Sequence, residues 1–170
     1  MIRILGVFCL SGGAVLIGNC AIRHLKARVA ELQNLILGLN VMLREMDYRL
    51  APLPELLELA SSRTVGQASE FFRLCARGAE HLNGRTFQIV WKQALEAVQL
   101  RLEQEDLAVL VQLGGFLGRY DGEGQRLVLE QTIGQMEEQR KCAKEQSDRL
   151  GKVYRVLSLA AGAFVLILMS

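Results

Sequence analysis

Two prolines in 170 residues, Pro52 and Pro54, are all the chain has to interrupt a helix, and strong runs of alternating apolar and polar residues are missing. Helix is therefore expected throughout. Excess charge of one sign is lacking too: 20 Lys and Arg against 18 Asp and Glu leave a formal net charge of +2. That is too little for the basic face on which counterion-driven nucleic-acid binding depends. The four cysteines, Cys9, Cys20, Cys75 and Cys142, form no CxxC pair. Their spacing gives no disulfide framework, and scattered thiols suit a reducing compartment.

Catalytic patterns are equally scarce. No GxxxxGK[ST] stretch is present to cradle phosphate, and the only two histidines, His24 and His81, have no cysteine at zinc-ligand spacing and no convincing nucleophile partner. The acidic stretch Glu103, Gln104, Glu105, Asp106 reads as a solvated helix start that suits the macrodipole rather than as paired carboxylates. Trp91 reads as core. The expectation is a protein that is not an enzyme and takes no cofactor and no metal.

What the chain does have is apolar length at both ends. Hydrophobic residues make up 51% of it and mean hydropathy is +0.21, yet nearly all the charge falls in the middle, and residues 4–22 and 156–169 carry none. A helix over the first run rises roughly 28 Å, enough to cross a hydrocarbon core once. Arg3 before an apolar stretch also begins a signal peptide. The run is longer than such a core, however, and no clear small-x-small site follows Cys20, where Asn19 also departs from a lipoprotein site, so an uncleaved anchor is expected. The second run is shorter. Extended to Val153, with Tyr154 at the interface and Arg155 snorkelling, it reaches about 25 Å, and the alternative is a buried core helix. Three segments result: a transmembrane segment over 1–24, a helical domain over 25–152 and a transmembrane segment over 153–170. Arg23, Lys26 and Arg28 after the first run, and Arg149, Lys152 and Arg155 around the start of the second, put the centre in the cytoplasm and both ends across the bilayer.

In the middle, Leu25, Val29, Leu32, Ile36, Leu39, Leu43, Met46 and Leu50 recur at steps of three and four, a coiled-coil-like stripe. The first helix is thus expected to run on to the Ala51-Pro52-Leu53-Pro54 turn, where a short helix opens at Pro54. Thr64 with Gln67 has the spacing of a capping box for a helix from Val65 to about residue 79. Gly84 closes a turn. Phe87, Val90, Trp91, Ala94, Leu95 and Val98 define one further apolar face, and Leu107, Leu110, Val111, Gly114 and Leu117 another. A last helix starts near Glu123 with Leu129, Ile133, Met136, Ala143 and Leu150 on a stripe loosened by Arg140 and Ser147, and it continues into the second apolar run. The predicted fold is all-α: an antiparallel helical bundle with N- and C-terminal transmembrane helices.

Two stretches are more specific: Glu45-Met-Asp-Tyr-Arg-Leu-Ala-Pro-Leu-Pro-Glu55 and Leu117-Gly-Arg-Tyr-Asp-Gly-Glu-Gly-Gln125. An acidic residue and Tyr48 precede a Pro-Leu-Pro-Glu turn, then Leu-Gly-x-x-Asp-x-x-x-Gln precedes the last helix, all between two terminal apolar runs. This order resembles the stage III sporulation protein AB family of endospore-forming bacteria across essentially the whole chain. The resemblance implies a fold similar to the cytoplasmic domain of the type II secretion inner-membrane platform protein, its F component. It implies a place in the mother-cell membrane, in the channel-like complex between mother cell and forespore. The implied partners are membrane lipid, a secretion-type ATPase like stage III sporulation protein AA and other proteins of the complex, with a homo-oligomer left open.

Glu45, Tyr48, Pro52, Leu53, Pro54, Glu55, Asp121 and Gln125 are the candidate contact or structural residues. Asp121 is also placed to cap the last helix, the prolines to set a rigid turn, and Glu45 and Tyr48 to bond across the bundle. A membrane platform or adaptor working by protein contacts is the leading expectation. The alternative is a membrane-anchored helical sensor or signalling protein unrelated to secretion.

Overall fold

The computed structural model describes residues 2–49, 51–82, 84–117 and 122–169, with side chains described over 22–46 and 51–156 apart from 83, 118–122 and 155. Six helices follow in order: α1 (Ile2–Arg49), α2 (Leu53–Arg63), α3 (Gly66–Glu80), α4 (Phe87–Ala97), α5 (Gln104–Phe116) and α6 (Gly122–Met169). Among the described residues there is no strand. α1 and α6 each run 48 residues, as expected of segments with no proline or strong breaker inside them. Among the described residues, no helix is long and apolar enough to cross a membrane. The side chains of the two terminal apolar runs, all but Ile22 and Val156, lie outside those residues.

The chain divides into two compact units, Met1–Ala27 with Cys142–Ser170 and Arg28–Lys141. In the first, Ala143 and Ser147 are buried, so the serine that loosens the α6 stripe in sequence faces inward, while Val153 and Val156 are exposed. The second holds most of the core. Leu32, Leu35, Ile36, Leu39 and Met42 of α1 are buried there, joined by Leu57 of α2, Phe71 and Phe72 of α3, Trp91 of α4, Leu110 and Leu113 of α5, and Leu129 and Met136 of α6. On α5 it is Leu113 that turns inward, while Val111 is 43% exposed, a correction to the expected face. Phe71 meets Trp91 edge-on at 4.7 Å between ring centroids, the favoured arrangement for aromatic quadrupoles. α2 packs on α3, α3 on α4 and α4 on α5.

The α2–α3 turn departs from the expected capping box. Thr64 is buried and donates its hydroxyl back to the Ala60 carbonyl at 2.8 Å, closing α2 instead of opening α3. The chain reverses through Val65 and Gly66, whose φ of 67° is a conformation that L side chains enter at a cost of about 1–2 kcal/mol. α3 has no side-chain cap of its own at Val65. One amide of its first turn, that of Ala68, faces the buried Glu31 carboxylate of α1 and favours its charged form. Burial raises the Glu31 pKa, and the Ala68 hydrogen bond and the Arg101 charge only partly offset it.

A carboxyl whose folded pKa lies above its unfolded value stabilises the native state at low pH. That contribution is lost as pH rises through the folded value. Glu31→Gln keeps an acceptor for Ala68 and removes the ionisation. The variant is expected to melt higher than the parent at pH 7, with the gap closing below the carboxylate range. Paired thermal melts across that range check it.

Thiol reactivity gives a second test of the fold. Cys75 is buried and burial pushes its thiol pKa far up, whereas Cys142 is exposed. Alkylation mapped peptide by peptide is expected to modify Cys142 in the native protein and Cys75 only after unfolding.

Candidate docking cleft

Three helix ends of the second unit, the start of α2, the α3–α4 turn and the end of α5, meet at one place. Pro52, with φ −65° and ψ 150°, needs no N–H and starts α2, its carbonyl accepting from the Glu55 and Leu56 amides at 3.0 and 3.2 Å. Past α3 the chain turns through Leu82 and Gly84, whose φ of 81° fits the expected glycine turn, and Arg85 N–H donates to the Leu82 carbonyl at 2.8 Å. Thr86 then opens α4 with its backbone carbonyl, bonded by Ile89 N–H at 3.1 Å, while its hydroxyl caps nothing. α5 stops at Leu117, whose N–H returns to Leu113.

Between these ends lies a cleft of about 350 Å³. Leu53 and Pro54 form one wall, Ala79 and Leu82 another, and Phe87, Gly115 and Leu117 complete an apolar lining. Arg85, Thr86 and Gln88 add the polar groups, and Arg85 is the one charged side chain lining it among the described residues. A Cβ on Gly115 would lie 3.3 Å from the Gln88 amide nitrogen, so glycine lets that amide sit close over α5. Apolar walls with a few converging polar groups are the usual make-up of a binding site.

The cleft therefore joins the two sequence stretches, through Leu53 and Pro54 of the first and Leu117 of the second. Pro52 and Glu55 are exposed and do not line it, nor do the half-buried Glu45 on α1 and Gln125 on α6. The Tyr48 side chain and Asp121 lie outside the described residues. Sequence reasoning missed Leu82, Arg85, Thr86 and Gln88. The only signal for them was an apolar residue beside the Gly84 turn.

A second feature overturns an expectation. The acidic stretch at 103–106 is not simply a solvated helix start, because Asp106 is fully buried. Its Oδ2 accepts from Arg28 Nε at 2.7 Å and its Oδ1 from Arg28 Nη2 at 2.8 Å. Oδ2 also accepts the Glu103 N–H at 3.0 Å, as the third residue of a capping box at the start of α5. Glu103 Oε2 pairs with Arg28 Nη1 at 2.7 Å from a half-exposed position. The Asp106 hydrogen bonds hold the Arg28 pKa above its ordinary value, against the opposing effect of burial. Arg28, one of the basic residues that follow the first apolar run, ties α1 to the start of α5. No group of three His, Cys, Asp or Glu side chains among the described residues is arranged to hold a metal ion.

The sequence matches the model of the family described as "Stage III sporulation protein AB" over residues 3–170. A solved structure described as "Stage III sporulation protein AB (SpoIIIAB)" shares the fold, with a TM-score of 0.65 at 20% sequence identity, covering 72% of this chain and 97% of that one. No curated protein matches.

Proposed function

The chain belongs to the stage III sporulation protein AB family, and from that premise we propose that it is a platform or adaptor of a secretion-like channel complex between mother cell and forespore. In this reading the two terminal apolar runs cross the mother-cell membrane, the central domain lies in the cytoplasm, and the work is done by protein contacts. The observation that carries it is the cleft: both family stretches contribute to one open apolar pocket at the ends of the bundle helices. A partner inserting an apolar side chain there gains the burial that anchors most interfaces, and Arg85 at the lip selects a neighbouring carboxylate. A bundle whose sequence has no phosphate-binding motif suits docking on a separate secretion-type ATPase, like stage III sporulation protein AA.

Thr86→Trp tests this cleanly, since the Thr86 hydroxyl caps nothing and an indole there fills the pocket. Affinity capture from detergent-solubilised sporulating cells is expected to recover the ATPase with the parent chain and to lose at least about tenfold with the variant. Equal recovery by the two proteins, or none by either, would sink the docking role. Protease accessibility in sealed vesicles tests the membrane arrangement: the central domain is expected to be cut only from the cytoplasmic side.

A further inference from the structure

A second concavity of the 28–141 unit runs along α1, away from the helix ends. Ala30, Gln33, Leu37, Asn40 and Arg44 succeed one another at steps of three and four, so they form one stripe of the helix. This stripe is distinct from the one that enters the core. Arg140 of α6 completes a groove of about 460 Å³. At its centre Leu37 is 45% exposed, an apolar side chain with open space around it. Three arginines elsewhere in the unit are held: Arg28 by Asp106, Arg73 by Glu70, Arg126 by Glu130. Among the described residues Arg44 and Arg140 make no such pair, even though Glu137 and Glu138 stand within a turn of Arg140, and no carboxylate lines the groove.

We propose that this groove binds an acidic amphipathic helix of a second protein, which lays an apolar side chain on Leu37 and carboxylates on Arg44 and Arg140. The stripe from residue 30 to residue 44 is about 21 Å long, the length of about four helical turns. Guanidinium groups without an internal partner match carboxylates through paired N–H donors. A symmetric contact with a second copy needs a patch that complements itself, and two cations with no anion do not. The surface lies apart from the cleft of the proposed function and stands or falls independently of it.

Photocrosslinking in sporulating cells tests the assignment, using Leu37→p-benzoylphenylalanine in the full chain. The expected product is an adduct to another protein at an acidic helical peptide. It should fall about tenfold when Arg44→Glu and Arg140→Glu are added and stay unchanged with Thr86→Trp. Arg44→Gln with Arg140→Gln, a milder pair, should give an intermediate loss, and an unaltered melting temperature for either pair keeps folding out of the comparison. An adduct to a second copy, to lipid alone, or to a protein whose yield ignores the arginine substitutions overturns the proposal, as does no adduct at all.

Discussion

Asp106→Ala is expected to lower the stability of the bundle by about 3–5 kcal/mol, because it strands a charge in the interior. Arg28 is 4% exposed and would keep only Glu103, whose side chain is 47% exposed and therefore screened by solvent. The Glu103 N–H would also lose its acceptor at the start of α5. Urea unfolding followed through Trp91, the one tryptophan of the chain and a buried one, reads the loss as a lower midpoint at unchanged slope. The decisive companion is Arg28→Met with Asp106→Leu. Removing both charges in favour of apolar groups of similar size is expected to recover most of the stability, since desolvation of the pair roughly offsets its attraction. If Asp106→Ala melts like the parent, the pair is not buried as described.

That pair also marks where sequence reasoning stops. Arg28 and Asp106 are 78 positions apart, and nothing local distinguishes a carboxylate that points inward from one that points at water. In hindsight the Glu103–Asp106 spacing signalled a reciprocal cap, but not the cation that lets it be buried. The long helices were legible because only Pro52 and Pro54 interrupt the apolar stripe, and the stripe itself placed Leu32, Ile36 and Leu39 in the core correctly. Thr64 failed for a local reason. Its hydroxyl had two backbone targets in reach, and the Ala60 carbonyl behind it won over the amides ahead. On α5, Val111 and Leu113 are both apolar and two residues apart. Helix phase decided between them, and a 13-residue helix gives little sequence from which to fix phase. The cleft was half legible. Leu53, Pro54 and Leu117 fall in the family stretches, but Leu82, Arg85 and Gln88 acquire meaning only when three distant helix ends converge.

The second large effect is expected at Gly114, where α5 crosses α4. A Cβ at this position would overlap the indole of Trp91, which lies against the bare helix backbone and donates Nε1–H to the Leu110 carbonyl at 2.7 Å. Gly114→Val therefore pushes the ring away, which by overpacking alone costs about 1–3 kcal/mol, and leaves a buried N–H without an acceptor for about 1–3 kcal/mol more. The helix propensity gained over glycine is only a few tenths of that. Gly134→Ala on α6 is the matched control. A Cβ there meets nothing within 4 Å, so the same loss of glycine is expected to raise stability by about 0.4–1 kcal/mol. Opposite signs in the two melts would locate the effect in the crossing, not in glycine as such. Because Gly115 and Gln88, the neighbours of this contact along α5 and α4, line the cleft, moving the helices apart at Gly114 also reshapes the proposed docking surface. Gly114→Val is accordingly expected to weaken ATPase capture even at temperatures where the bundle stays folded, whereas Gly134→Ala leaves it intact.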